Sequence, residues 1–221
     1  MILEPLLLSF QVAVVSTCIA GLLGVALAGL MSRARFVGSD LLDGLITAPI
    51  VLPPTVLGYY LLLAVGRSSV LGRAYETLTG SSLVFSRTAV VLAGSIAALP
   101  FVVKSARAAM EDVDPRLLAA AATLGASPLK VFLTIVLPLS RNGILAGLML
   151  GFARALGDFG VTLMIAGNIP GLTQTGALAI YDAVQANREA EAAGMALVMT
   201  AFAMTALYAG TKLVRRKPHA W

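Results

Sequence analysis

The chain has 221 residues, of which 58% are hydrophobic and 12% are charged, and its mean hydropathy is +0.90. A soluble domain carries about a quarter charged residues, so this composition excludes a soluble globular protein and predicts one integral membrane domain over residues 1–221. The net charge of +5 does not indicate a nucleic-acid partner, because the basic residues lie between apolar segments, where they set membrane orientation.

Five apolar segments approach the length of about 20 residues that a transmembrane helix needs. They predict an all-α, polytopic membrane protein whose spans cover about residues 6–31, 45–65, 84–106, 143–166 and 194–213. The first span contains Gly21, Gly24 and Ala28, small residues that let neighbouring helices approach closely. Its Cys18, the single cysteine of the chain, is expected to be a small residue of the core.

The distribution of basic residues predicts the side of the membrane on which each connection lies. Eleven of the 16 Lys and Arg residues fall in the first connection, the third connection and the C-terminal tail, whereas four fall in the second and fourth connections. The N-terminus is therefore predicted outside and the C-terminus in the cytoplasm. The third connection, with a loop over 107–140, is then cytoplasmic, and the long fourth connection is external.

The second span is interrupted by Pro49, Pro53 and Pro54. Each proline removes a backbone donor and clashes with the preceding turn, so the helix must kink or break. Within a membrane such a break is tolerated where it packs against protein or lines a cavity. A packing kink without transport is one hypothesis, but Thr55 and Tyr59 place polar groups near the break and favour a translocation path.

The third connection contains a sharp break between two short helices. Ala119–Ala122 is strongly helix-forming, and Gly125 is suited to the left-handed conformation that ends a helix. Ser127 and Pro128 are typical of the cap and first position of a second helix, whose end Pro138 is expected to disturb. This unit is too short to span a bilayer, so it lies at the membrane surface, where it either rests on headgroups or docks a cytoplasmic partner.

The fourth span carries Arg154 and Asp158, two ionisable residues at membrane depth. They are four residues apart and share one helix face, where they can pair. Ionisable residues in a membrane usually face a bundle interior or a water-filled cavity. Two hypotheses stay open: a structural ion pair, or a gate in which Arg154 attracts an anion and Asp158 keeps it from binding too tightly. Phe159 follows directly and is grouped with this gate.

Nothing in the sequence indicates catalysis or a metal site. The single histidine, His219, lies in the tail and is expected to be solvated. No lysine follows a Gly-x-x-x-x-Gly pattern, so the chain lacks the loop with which P-loop proteins bind ATP. We therefore expect no cofactor and no enzyme activity on this chain, and ATP-driven work would need another subunit.

The third connection resembles the EAA loop of ATP-binding-cassette importer permeases in residues 120–126, AAATLGA, and in the following Phe132, Ile135 and Leu137-Pro138. In that family the loop holds a coupling helix that inserts into a cleft of the ATPase subunit. The acidic residue that names the loop falls at Ala119 here, so the resemblance implies docking by shape and apolar contact. The residues assigned to this docking are Arg116, Ala119, Ala120, Leu124, Gly125, Ala126 and Lys130.

Two longer stretches are similar to the molybdate-transporter permeases within that superfamily. They are LPPTVLGYYLL (52–62) and FGVTLMIAGNIPGLTQT (159–175), with 178–181 after it. The resemblance implies a homodimeric permease, two cytoplasmic ATPase subunits that use ATP and Mg, and an external binding protein that delivers the oxyanion. Residues 168–187 are expected either to contact that protein or to seal the external mouth. Position 158 often carries Glu in relatives and carries Asp here, which keeps the charge but shortens its reach.

The implied function is import of molybdate by alternating access, with tungstate not distinguished and sulfate less favoured. Two other function classes stay as alternatives. A secondary transporter driven by an ion gradient predicts internal repeats and more intramembrane acids, whereas no repeat is visible and Asp158 is the one deep acid. A membrane scaffold that moves nothing leaves the broken second span and the Arg154–Asp158 pair without a purpose.

Overall fold

The computed structural model describes residues 3–33 and 37–215, and within these ranges the chain forms helices and turns and no β-strand. The predicted all-α fold class is confirmed. The helices in chain order are α1 (Leu3–Arg33), α2 (Ser39–Val51), α3 (Pro54–Val65), α4 (Val70–Thr79), α5 (Arg87–Glu111), α6 (Pro115–Thr123), α7 (Pro128–Leu139), α8 (Arg141–Leu156), α9 (Gly160–Ala166), α10 (Gly176–Gln185) and α11 (Glu189–Arg215). Arg35, Arg216, Lys217 and His219 lie outside the described residues.

Three helices, α1, α5 and α11, are each long and apolar enough to cross a membrane. Two pairs of shorter helices pass the same test together but are strongly bent, α3 with α4 by 61° and α7 with α8 by 71°. Counting each bent pair as one span gives up to five candidate spans, although these pairs join other helices than the predicted second and fourth spans, 45–65 and 143–166. Length and composition thus agree with a polytopic membrane protein of about five spans.

Helix α5 lies at the centre of the bundle, with α1 and α8 packed along it. Its side chains Ala93, Ala97, Val102 and Ala106 are fully buried. Close approach depends on small residues in the partner helices, as the sequence of the first span predicts. A Cβ on Gly24 of α1 would lie only 2.8 Å from Val102 Cγ1. Because lipid is as apolar as the core, such close van der Waals contact holds membrane helices together.

A second row of small residues, which our reading of the sequence missed, lies on α8. Gly143, Gly147 and Gly151 are spaced by four and face α5. A Cβ on Gly147 would lie 2.9 Å from Ser105 Cβ and 3.2 Å from the carbonyl oxygen of Phe101. The spacing is the small-xxx-small pattern of close membrane helix pairs, and it is visible in the sequence.

The predicted break of the second span is confirmed. Helix α2 ends at Val51 and α3 begins at Pro54, while Leu52 and Pro53 are extended with ψ of 140° and 136°. A residue that precedes proline is pushed out of the helical region, which explains both extended positions. Pro49 lies inside α2 without ending it.

The fourth predicted span, 143–166, is not one helix. Helix α8 ends at Leu156 and α9 begins at Gly160, so Gly157, Asp158 and Phe159 form a short non-helical link. Two spans of the bundle are therefore interrupted, one at a proline pair and one next to an ionised pair.

The remaining differences concern helix ends and lipid-facing residues. The predicted third span, 84–106, corresponds to α5 at 87–111, and the fifth begins at Glu189 rather than at residue 194. The fourth connection contains α10, which is separated from α11 by a turn in which Asn187 has a φ of +56°. Cys18 is exposed on α1, so its expected place in the core is wrong. Outward-facing and inward-facing positions of a membrane helix are equally apolar, so hydrophobicity could not decide between them.

Gly147→Ala is expected to destabilise the bundle, because the added Cβ would press on the backbone of α5 as well as on Ser105. Overpacking of this kind costs about 1–3 kcal/mol. The purified variant should lose its monodisperse peak in size-exclusion chromatography after heating at a lower temperature than the parent chain. Gly194→Ala is the matched control, because a Cβ there meets nothing within 4 Å. Equal heat resistance of the two variants would contradict this packing.

Candidate functional site

The predicted coupling loop, 107–140, begins with the last turns of α5 and then forms α6 and α7. Helix α6 ends where Gly125 takes a left-handed φ of +76° and Ala126 N donates to the carbonyl of Ala121 at 3.1 Å. Ser127 Oγ then accepts a hydrogen bond from Lys130 N at 3.3 Å and caps α7. The predicted break at Gly125, with a new helix capped by Ser127, is confirmed.

Helix α6 and the turn after it project from the bundle. Ala121 is the buried residue of α6, and Leu124, at the tip, is 86% exposed. An apolar side chain of this size left in water forgoes about 1.5–3 kcal/mol of burial. The residues that the resemblance assigns to docking lie on this projection, where Arg116, Ala119, Ala120, Leu124, Gly125 and Lys130 are exposed and Ala126 is half-buried.

Helix α7 contains a π-helical turn over Phe132–Val136. The sequence predicts a disturbance at the end of this helix, but it falls ahead of Pro138, and the helix continues to Leu139. Pro138 has no N–H for the preceding turn, and a π turn is one way in which a helix absorbs that loss. The Phe132 ring lies against Gly29 of α1, where a Cβ would be 2.7 Å from the ring edge. The loop is therefore fastened to the bundle just behind its projection.

Two ion pairs, which the sequence did not reveal, tie α2 to α5 next to the coupling loop, and a third pair lies within α5. Asp43 contacts Lys104 Nζ at 2.6 Å and Arg107 at 3.2 Å, and Arg107 also contacts Glu111 at 2.7 Å. These side chains are partly exposed, so each pair contributes modestly to stability. Their main effect is on position. They hold α2, the first half of the broken second span, against the end of α5 that leads into the loop.

The two helix breaks meet. Helices α3 and α9 pack side by side, and a Cβ on Gly160 would lie 2.6 Å from Pro54 Cβ. Further along the pair, a Cβ on Gly58 would lie 2.6 Å from Met164 Cβ. We call residues 52–55 and 157–160 the junction. Both half-helices α3 and α9 begin there, and their glycines allow the close approach.

Asp158 makes most of the polar contacts on its side of the junction. Asp158 is 3% exposed, and its two carboxylate oxygens accept three hydrogen bonds. One oxygen accepts from Arg154 Nη1 at 3.0 Å, and the other accepts from Thr162 N at 3.0 Å and from Thr162 Oγ1 at 2.8 Å. The expected pairing of Arg154 with Asp158 is confirmed. Thr162, which the sequence analysis missed, lies four residues after the acid, and this spacing could have indicated it.

The hydrogen bonds of Asp158 stabilise the start of α9 as a new helix after the break. The first N–H groups of a helix have no partner within the helix, and the carboxylate satisfies one of them at Thr162. The buried charge is in turn compensated by Arg154, whose side chain remains 28% exposed. Removing Arg154 would leave the buried carboxylate without its counter-charge, which costs about 3–5 kcal/mol. Removing the charge of Asp158 costs less, because water reaches the partly exposed Arg154.

The other residues assigned to the path lie on open surfaces around the junction. Thr55 and Tyr59 are exposed on α3. The half-buried Phe159 ring packs against Tyr181 of α10, with ring centroids 5.1 Å apart and ring planes tilted by 56°. The junction thus includes Pro54, Thr55, Asp158 and Phe159. Tyr59 lies one turn further along α3, on the same uncovered face as Thr55.

The loop between α9 and α10 is tied down at the opposite end of α5 from the coupling loop. The Arg87 guanidinium donates to the carbonyls of Gly171 at 3.1 Å and Leu172 at 3.3 Å. Ser9 Oγ accepts from Gly176 N at 2.7 Å and anchors the start of α10 to α1. These contacts join residues more than 80 positions apart, and no local pattern in the sequence indicates them.

Within the described residues, no group of three or more His, Cys, Asp and Glu side chains is placed to hold a metal ion. The chemical groups at and beside the junction are one guanidinium, one buried carboxylate, hydroxyl groups and aromatic rings. Guanidinium and hydroxyl groups are hydrogen-bond donors, which are the groups that contact anions.

Comparison with known proteins agrees with this geometry. One family model, described as the binding-protein-dependent transport system inner membrane component, matches residues 20–217. The chain is 47% identical over 178 residues to the molybdenum transport system permease protein ModB of Haemophilus influenzae, covering 80% of this chain and 78% of that protein. It is 39% identical over 213 residues to ModB of Escherichia coli K12, covering 96% and 93%.

Solved structures share the fold at much lower identity. A bacterial importer of the acidic polysaccharide alginate matches with a TM-score of 0.76 at 13% identity, covering 97% of this chain and 79% of that one. The inward-facing MetNI methionine ABC transporter matches with a TM-score of 0.75 at 13% identity, covering 97% and 95%. At such identity the likeness concerns the arrangement of helices. The broken spans, the projecting loop and the match over residues 20–217 together place this multi-pass chain in the binding-protein-dependent transport system inner membrane component family.

Proposed function

We propose that this chain is the transmembrane permease subunit of an ATP-driven importer that moves molybdate into the cytoplasm by alternating access. The observation that carries the proposal is the 39% identity to a molybdenum permease over 96% of the chain. The geometry fits that role. The projecting loop offers a surface for an ATPase subunit, and the junction offers polar groups on an open face for the path of the anion. Tungstate, which has the same shape and charge, would use the same route.

ATP hydrolysis belongs to a separate subunit in this proposal. The coupling loop docks that subunit through α6, the apolar tip at Leu124 and the turn at Gly125. Ala119 offers no charge, so Arg116 and Lys130 are the ionic contacts available on the projection. ATP and Mg are used by the two ATPase subunits, and no cofactor is assigned to this chain.

The path lies between two copies of the chain. One protomer leaves Thr55 and Tyr59 uncovered on a helix that the membrane surrounds, and polar groups at that depth need protein or water next to them. A second copy related by a twofold axis is the simplest closed arrangement. The two junctions then face each other across the path.

Arg154 is the group in the path that attracts the dianion. A guanidinium has five N–H donors, and the Asp158 carboxylate engages it through Nη1. Its partly exposed side chain can therefore meet an anion while the buried carboxylate offsets its charge. This balance favours weak binding, which suits transport. Phe159 and Tyr181 lie beside the pair and limit the opening.

The orientation proposed for the chain follows the positive-inside rule, with the N-terminus outside and the C-terminus in the cytoplasm. The loop held by Arg87 and the following helix α10 then face the external side. They are the surface offered to a binding protein that delivers the anion, and selectivity resides mainly in that protein.

The proposal is tested by reconstitution. The chain is coexpressed with its ATPase subunit, purified, and placed in proteoliposomes with the binding protein and labelled molybdate. We expect copurification and uptake that requires ATP, inhibited by unlabelled tungstate at concentrations at which sulfate has little effect. Uptake driven by an ion gradient without ATP would establish a secondary transporter instead. Absence of both copurification and uptake would favour a scaffold.

Leu124→Gln is expected to weaken docking of the ATPase subunit. Loss of a buried leucine contact costs about 1.5–3 kcal/mol, and about 1.4 kcal/mol corresponds to tenfold in affinity. The ATPase concentration that gives half-maximal transport should therefore rise about tenfold or more. Leu41→Gln is the matched control, because Leu41 is also an exposed leucine and lies on α2 near the same end of the bundle. Equal effects of both substitutions would contradict a docking role for Leu124.

Asp158→Asn tests the gate separately from the fold. The amide oxygen can still accept from Thr162, but the charge that balances Arg154 is gone. We expect a complex that assembles normally and takes up molybdate at least tenfold more slowly, with ATP hydrolysis no longer matched to uptake. Asp158→Ala also removes the hydrogen bonds and should lower thermal stability in addition. Unchanged uptake and unchanged coupling in Asp158→Asn would leave the pair a purely structural role.

A further inference from the structure

Helix α4 has an apolar face that no other described part of the chain covers. Val70, Ala74 and Leu78 are spaced by four, and Leu71 lies seven before Leu78, so the four share one helix face. Val70 is 75% exposed, Leu71 62% and Leu78 86%, and Ala74 is exposed as well. Several large apolar side chains on one short surface helix indicate a contact surface rather than scattered exposure.

The other side of α4 is fixed to the bundle. Ser69 Oγ accepts from Gly72 N at 2.8 Å and caps the helix. Gly72 is buried so closely against the end of α3 that a Cβ would meet the carbonyl oxygen of Gly66. Tyr75 shares a hydrogen bond of 3.2 Å with Thr88 at the start of α5. The direction in which the apolar face points is therefore set by the fold.

Helix α4 is a poor candidate for the continuation of a span. It bends away from α3 by 61°, and its ten residues include Arg73 and Glu76, which are costly at membrane depth. Arg67 immediately precedes it. Exposed Thr77 and Arg73 lie together beside the apolar face. The helix thus presents protein contacts, an apolar face and a polar face on three different sides.

We propose that α4 is an interfacial helix whose apolar face, Val70, Leu71, Ala74 and Leu78, lies in the phospholipid layer next to the end of α5 that carries Arg87. A helix that leaves a membrane span at a steep angle with one apolar and one charged face is suited to the boundary of headgroups and acyl chains. The occupant of the apolar face is phospholipid. Arg67 and Arg73 complement its phosphate groups, and Tyr75 has the amphipathic ring that is enriched at such boundaries.

This assignment concerns the membrane contact of α4 and does not depend on the transported anion. It also fixes the depth of α3, the second half of the broken second span, because α4 follows α3 directly. Moving α4 deeper would bury its charged residues in lipid, and moving it outward would expose its apolar face to water. Failure of the molybdate assay would leave it intact, and its own test needs no transport.

The test is electron paramagnetic resonance of single nitroxide labels. Cys18→Ser removes the single native thiol, and Leu78→Cys or Leu71→Cys then carries a label on the apolar face. Arg73→Cys is the matched control, because position 73 is also exposed and points away from both label positions on the same helix. Each full-length chain is labelled, reconstituted in vesicles of phosphatidylethanolamine and phosphatidylglycerol, and examined for collisions with oxygen, which concentrates in lipid, and with a nickel chelate, which stays in water.

We expect the ratio of oxygen to nickel collisions to be several-fold higher at positions 78 and 71 than at position 73. Three results would overturn the proposal. A ratio at 78 and 71 equal to that at 73 would place the face in water. Low collision rates with both reagents would show that protein covers it. Spin–spin broadening at 78 would assign it to a contact between two copies of the chain. Two label positions on the face guard against a local disturbance by either substitution.

Discussion

The structure depends on one constraint, that a bilayer offers no water to an unpaired backbone group, so any break in a spanning helix must be repaired from within the protein. Two spans break here, and the breaks meet where Gly160 lies against Pro54. On one side, Pro53 and Pro54 have no backbone N–H, so they leave no donor unpaired at the start of α3. On the other, the buried Asp158 carboxylate accepts from the backbone and hydroxyl of Thr162. Arg154 compensates the charge that this repair introduces, and so brings a cation to the same place.

The same arrangement connects the junction to the coupling loop. Helix α8, 16 residues long, has the bend of the loop at one end and the junction at the other. Its loop end is held by Ser140, whose hydroxyl donates to the carbonyl of Ala109 at 3.0 Å. In the mechanism that we propose, movement of the loop would be passed along this helix to Arg154. Packed interfaces of this kind switch between discrete arrangements rather than deform continuously, which is what alternating access requires.

Local chemistry could be predicted from the sequence, and long-range geometry could not. Proline pairs break helices wherever they occur, so the interruption at Pro53–Pro54 was predictable, as was the turn at Gly125. The four-residue spacing of Arg154 and Asp158 predicted their pairing but not the new helix behind them, which depends on Thr162. The contact of Arg87 with Gly171 and Leu172 joins segments that are distant in the sequence, so no periodic pattern of residues predicts it. Cys18 was misplaced because lipid and core select the same apolar residues.

The most direct test of the account asks whether the uncovered face beside the junction lines an aqueous path. In a Cys18→Ser background, Thr55→Cys and Tyr59→Cys are treated in proteoliposomes with a membrane-impermeant, negatively charged thiol reagent, and modification of this chain is measured by mass spectrometry. Leu22→Cys, at an exposed position of α1, is the lipid-facing control. The account predicts that positions 55 and 59 react, that molybdate slows the reaction, and that position 22 stays unmodified. Thiols at 55 and 59 as unreactive as the one at 22 would contradict it.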